Sequence, residues 1–108
     1  MRYGIIELTQ GNINNDHLYL TTIYDLFPSS SIGDGSEADV AKQLLEVHFG
    51  IGSPVMTDIA GDKKIFRKRS WVGEFFAVHD LAAGDSVVVE ETGTNRYHVY
   101  PLRRLIGT

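Results

Sequence analysis

A chain of 108 residues with 43% apolar and 22% charged side chains is long enough to form one domain with its own core. It has no cysteine, which excludes disulfides and thiolate metal sites, and no apolar run of a length that spans a membrane or forms a signal peptide. Ten Lys and Arg against 14 Asp and Glu give a net charge of −4, which excludes a surface that is basic throughout.

Ile5-Ile6-Glu7-Leu8 predicts a short strand, and the Asn-rich stretch Thr9 to Asp16 predicts a loop. His17-Leu18-Tyr19-Leu20 alternates and predicts a second strand. Thr21 or Thr22 is placed to cap a short helix over Ile23 to Phe27, stopped by Pro28. Ser29 to Ser36 reads as a loop. Ser36-Glu37-Ala38-Asp39 has the form of a capping box, and Val40, Ala41, Leu44 and Val47 fit a helical stripe. Leu45, Val47 and Phe49 equally fit the alternation of a strand, and pattern leaves both readings open. Gly50 to Pro54 is a turn, Val55 to Ile59 a strand, and Ala60-Gly61-Asp62 a further turn. Lys64 to Lys68 predicts a strand with Ile65 and Arg67 on one face. Ser70 predicts the cap of a helix from Trp71, with Gly73 a weak point and Trp71, Phe75 and Val78 on its apolar face. After a turn at Gly84-Asp85, Ser86 to Glu91 and Arg96 to Leu102 predict a hairpin around Thr92 to Asn95. Short strands with two short helices predict a small barrel or sandwich.

Five of the ten cations, Lys63, Lys64, Arg67, Lys68 and Arg69, fall within one stretch after the Gly61-Asp62 turn. In an acidic chain this clustering points to a local anion site, and nucleic acid is the largest anionic partner class. The plain alternative is a strand edge protected by Lys. A second polar stretch carries Gln10, Asn12, Asn14, Asn15 and His17. Asn and Gln suit adenine edges and Arg suits guanine, although the same residues are common in ordinary turns. His17, His48, His79 and His98 lack ligand spacing, and the adjacent His79-Asp80 is a local pair of a common kind. Asp58, Asp62, Glu90 and Glu91 do not form the carboxylate–lysine pattern of a nuclease, and no nucleophile elbow, phosphate loop or dinucleotide fingerprint is present. No catalytic residue, metal or cofactor is therefore expected. Single-stranded partners would want exposed stacking aromatics, and core packing accounts for Tyr97 and Tyr100.

The order of segments resembles the B-three DNA-binding domain of plant transcription factors. It is more similar still to the effector or target-recognition domains of EcoRII-, BfiI- and NgoAVII-type restriction endonucleases. The residues that carry this resemblance are Leu8-Thr9 before a polar loop, Leu18-Tyr19-Leu20, Leu26-Phe27-Pro28, Val47-His48-Phe49-Gly50 and Thr57-Asp58-Ile59. The most specific are Trp71 to Phe76 followed by His79-Asp80-Leu81-Ala82-Ala83-Gly84-Asp85-Ser86-Val87. Together they cover residues 5 to 101.

The resemblance implies a mainly β fold: a seven-stranded open pseudobarrel with two short α-helices, residues 1–108 as a single domain, and a strand over Leu44 to Phe49. It implies that double-stranded DNA is gripped in the major groove by two arms, here Thr9 to His17 and Asp58 to Arg69. The DNA-binding residues are then Thr9, Gln10, Asn12, Asn14, Asn15 and His17 from the first arm. The second arm contributes Asp58, Asp62, Lys63, Lys64, Arg67, Lys68 and Arg69. Lys63 and Lys64 are assigned to phosphates, and Arg67 and Arg69, with the Asn and Gln set, to bases. Asp16, Asp58 and Asp62 accept from cytosine amino groups, repel phosphate or orient nearby cations, while Trp71, Phe75, Leu81, Val87 and Val89 form core. The chain departs from the family in being acidic where members that bind alone are often basic. The expected function is sequence-specific DNA recognition in a bacterial, cytoplasmic restriction-modification system. A nuclease domain or subunit is a further partner, and the domain itself is no enzyme. A small metal-dependent nuclease and a protein-interaction module are the alternatives.

Overall fold

Alternating apolar residues build the larger of two sheets. The computed structural model describes residues 2–33 and 43–102. In chain order its elements are β1 (Tyr3–Glu7), α1 (Gln10–Asn15), 3-10 turns over Thr21–Leu26 and Ser29–Ser31, and β2 (Ile32–Gly33). There follow β3 (Leu45–His48), β4 (Val55–Thr57), β5 (Ile59–Ala60), β6 (Ile65–Phe66), α2 (Ser70–Val78), β7 (Ser86–Gly93) and β8 (Arg96–Leu102). One sheet has five strands in the order β1-β7-β8-β3-β4, and the other has three in the order β2-β5-β6.

In the large sheet Ile6, Leu45, Val47, Val87, Val89, Tyr97 and Val99 point inward and are buried. The period of two sends their neighbours to the other face. α2 closes this core with Trp71, Val72, Phe75 and Phe76, all buried. The Trp71 ring stacks on Phe49 with centroids 4.8 Å apart. The Tyr97 hydroxyl donates to the Leu26 carbonyl at 2.9 Å, tying β8 to the first 3-10 turn.

The mainly β class stands, and so does the strand in the ambiguous stretch, where Leu45 and Val47 face the core. The capping box at Ser36 to Asp39 lies outside the described residues. Several expectations need correction. Among the described residues, eight strands in two open sheets stand where a seven-stranded pseudobarrel was expected. Thr9 to Asp16 is a short helix with its cap, not a loop. His17 to Leu20 belongs to no strand among the described residues, although its Leu20 N–H donates to the Lys64 carbonyl at 2.8 Å. Ile23 to Phe27 is reached by a 3-10 turn from Thr21 with no threonine cap. The Val55 to Ile59 strand divides between the two sheets. Only Ile65 and Phe66 pair in the basic stretch, and both are buried. Arg69, not Ser70, is the N-cap of α2, with no side-chain bond. Val78 is exposed, and Phe76 takes its expected place in the core.

Candidate nucleic-acid interface

The first arm is a helix because Thr9 and Asn12 cap it. The Thr9 hydroxyl accepts from the Asn12 N–H, and the Asn12 side-chain Oδ1 accepts from the Thr9 N–H at 2.7 Å. This is a capping box with Asn in the position usually held by Glu or Gln. Asn12 also donates to the His17 carbonyl at 3.0 Å. It is buried, so its amide is spent inside the arm. The helix ends at Asp16, whose φ of 51° turns the chain back. Gln10, Asn14 and Asn15 are left exposed, with Gln10 donating to Asn14 at 2.9 Å.

The second arm is bolted down at its base. Asp58 is buried and receives Arg67 through Nε at 2.7 Å and Nη2 at 3.1 Å. The Lys68 N–H donates to the Thr57 hydroxyl at 2.9 Å, and the Lys68 carbonyl accepts from the Trp71 indole at 2.8 Å. The backbone of Lys68 is thereby satisfied on both sides while its ammonium projects to solvent. At the tip, residues 61–64 form the turn between β5 and β6. Asp62 accepts from the Lys63 N–H at 2.9 Å, and Lys64 takes a φ of 56°. The Lys64 ammonium lies 5.2 Å from the centre of the Tyr24 ring, a cation–π contact.

The arms meet across an open cleft of about 550 Å³ lined by Asn15, Asp16, Val55, Arg67, Lys68, Arg69, Ser70 and Trp71. A side chain on Gly73 would come within 2.9 Å of the Asp16 carboxylate, so glycine lets the end of the first arm rest on the first turn of α2. His17 sits at the same junction, its Nδ1 3.0 Å from the Tyr19 hydroxyl. Burial, and then the positive charges of Arg69 and Lys63, hold its pKa below the ordinary histidine value, against the pull of Asp16.

The charge distribution singles out this face. Arg2 pairs with Glu91, Arg67 with Asp58 and Arg96 with Glu46. Among the described residues Lys63, Lys64, Lys68 and Arg69 have no ion-pair partner, and all four belong to the second arm. A larger cleft of about 620 Å³ lies between Arg2, Asp25 and the Glu91 to Asn95 turn, where the Arg2–Glu91 pair already neutralises the cation.

The expected residues therefore sort by position. Asn15, Arg67, Lys68 and Arg69 line the cleft, and His17 lies close enough to Arg69 and Lys63 to feel their charge. Gln10, Asn14 and Asp62 are exposed outside its lining, and the Thr9 hydroxyl is engaged in the cap. Asn12 and Asp58 are buried, and two Arg67 donors are committed to Asp58, so these three brace the arms. Of the residues expected at base edges, Asn12 is thus buried, and Arg67 lines the cleft with two donors held by Asp58. Val55 and Ser70 in the lining were missed, as were Tyr19 beside His17 and Tyr24 beside Lys64. Tyr19 was open to detection, since it alternates with the buried Leu18 and Leu20 and is itself exposed.

No family model matches the chain, and no curated protein matches it. Among solved structures it is similar to the N-terminal domain of Helicobacter pylori LlaJI.R1, with a TM-score of 0.58 at 10% identity, covering 99% of this chain and 90% of that one. At that identity the likeness is one of fold. No helix among the described residues is long and apolar enough to cross a membrane.

Proposed function

We propose that this chain is a double-stranded DNA-binding domain of the B-three-like group that reads sequence in the major groove with its two arms. The observation that carries this reading is the contrast in pairing. The other described arginines are matched to carboxylates, while Lys63, Lys64, Lys68 and Arg69 on the second arm are left unmatched, and Lys68 and Arg69 line a cleft that also offers Asn15. Unmatched cations on a fixed backbone suit phosphates, and an exposed amide beside them suits a base edge. The fold shared with the LlaJI.R1 N-terminal domain is consistent with this reading. In this proposal the domain works in the bacterial cytoplasm as the target-recognition part of a restriction-modification system. It does no hydrolysis itself and hands its target to a nuclease domain or subunit.

The test is selection from a random duplex library at low salt, with and without cytosine methylation, followed by anisotropy on the enriched site. The expected result is an enriched motif bound more tightly than unrelated duplex. Failure to retain any duplex at low salt would overturn the proposal.

A further inference from the structure

The large sheet has two edges, β1 and β4, and they are not equally protected. β4 has three residues and follows Pro54. β1 has five, pairs with β7 in unbroken register, and carries neither Lys nor Pro. Short strands, proline, lysine and bulges are among the means of blunting an edge, and β1 has none of these; its one charged residue is Glu7, at its end, and the Thr21–Leu26 turn lies across a groove from it.

The ladder fixes which backbone groups of β1 are open. Leu8 N–H donates to Asp85, and Glu91 N–H donates to Arg2. The even-numbered residues therefore bond to β7, and Tyr3, Ile5 and Glu7 turn their N–H and C=O groups to the free edge. No described strand pairs there. The same three residues project their side chains from the outer face, with Tyr3 64% and Ile5 44% exposed. Ile5 is in register with Val88, and Val88 with Tyr100, so an apolar row runs to the edge and stops at Ile5. A groove of about 600 Å³ follows the edge between Tyr3, Gly4 and Ile5 on one side and Thr22, Ile23 and Leu26 on the other. Ile23 fills the space where a side chain on residue 4 would lie.

We propose that β1 pairs antiparallel with β1 of a second copy of this chain about a two-fold axis through Ile5, joining the two five-stranded sheets. The sequence of the strand is self-complementary in that register. Ile5 faces Ile5, and Tyr3 faces Glu7, whose carboxylate accepts from the phenol. Every outward N–H and C=O of Tyr3, Ile5 and Glu7 then gains a partner, and the row Tyr100, Val88, Ile5 continues through its symmetry mate. Sliding one strand by two residues sets Ile5 against Glu7 in one direction and Tyr3 against Ile5 in the other, which breaks the Ile5–Ile5 contact. Moving the axis itself by two residues, a slide of four, sets Glu7 against Glu7 in one direction, and like charges directly opposite are destabilising. The shift in the other direction sets Tyr3 against Tyr3 and leaves Glu7 unpaired. A two-fold axis requires this kind of self-matching patch. The pairing uses none of the cleft residues, so it stands or falls apart from the DNA reading.

Sedimentation equilibrium of the 108-residue chain from micromolar to millimolar concentration, with amide exchange followed by NMR, tests this. The mass should rise from monomer to dimer. The amides of Tyr3, Ile5 and Glu7 should gain protection with concentration, while those of Gly4 and Ile6 are protected throughout. Ile5→Lys, at an exposed position, should remain monomeric with an unchanged circular dichroism spectrum. If that variant does not fold, the exchange of the wild-type amides decides. A monomer at every concentration, exchange at Ile5 that ignores concentration, or an equally strong dimer in a folded Ile5→Lys protein would each overturn the proposal. The first of these is also the result expected if the edge takes a strand from a different protein.

Discussion

Asp58 and Arg67 are nine positions apart, and only the β5–β6 hairpin brings them together. Arg67 reads in the sequence as one more positive charge in a basic stretch, because nothing local marks Asp58 as its partner. Two hydrogen bonds to a carboxylate only 2% exposed make it a brace. Removing one member of such a pair leaves a charge without compensation, which costs about 3–5 kcal/mol. Asp58→Ala should lower unfolding stability by about that much in urea titration, with lost DNA binding following from the displaced arm. His17 makes a second prediction at this scale. Its pKa is depressed in the folded chain, so below about pH 6.5 the unfolded chain binds more protons than the folded one. The stability it contributes is present above that pH and is lost as pH falls through the folded value. Phosphate beside it would act in the opposite sense and favour the charged ring. Melting temperature should therefore fall with acidification while affinity for a duplex rises, and His17→Gln should flatten both profiles.

Among the elements, α1 and α2 show why local pattern fell short. Asn, Gly and Asp in TQGNINND are turn residues by propensity. They form a helix because Asn12 finds three partners at once: the Thr9 backbone, the Thr9 hydroxyl and the His17 carbonyl. The first two are within reach of a capping-box reading, while the third depends on the chain reversing at Asp16. In α2, Gly73 looks like a flaw in a helix, where alanine would ordinarily gain about 1 kcal/mol. The Asp16 carboxylate occupies the space a methyl group would need. Gly73→Ala should bring no such gain and should weaken DNA binding, since it pushes the end of the first arm out of the cleft. Asp16→Gly frees that space and suits the φ of 51°. In a double-mutant cycle, Gly73→Ala should become stabilising in the Asp16→Gly background, a coupling read directly from urea midpoints. Additivity of the two changes would show that the arm does not rest on α2.

Across the whole molecule, the sequence revealed where charge concentrates but not which charges remain available. The hairpin of β7 and β8 and the aromatic face of α2 were legible because each carries an apolar period over several residues, whereas β3 fitted helix and strand periods alike and its pattern left both open. The two-residue strands of the small sheet were not legible, because their pairing depends on long-range packing. Under the proposed function, pairing across the surface decides which cations are available: Arg2 and Arg96 lie on carboxylates, and Lys63, Lys68 and Arg69 do not. Long-range repulsion from the net charge fades over about 10 Å at 0.1 M salt, so contacts at the cleft are governed by these local cations. Each phosphate contact contributes about 0.9 to the slope of log affinity against log salt. Lys63→Ala, Lys68→Ala and Arg69→Ala should each weaken binding and reduce that slope by about 0.9. Lys64→Ala should reduce it less, because its ammonium lies over Tyr24. Arg2→Ala and Arg96→Ala remove the same formal charge elsewhere and should leave the slope unchanged. If all six substitutions shifted it alike, the chain would be responding to net charge, and the cleft would have no claim to the phosphates.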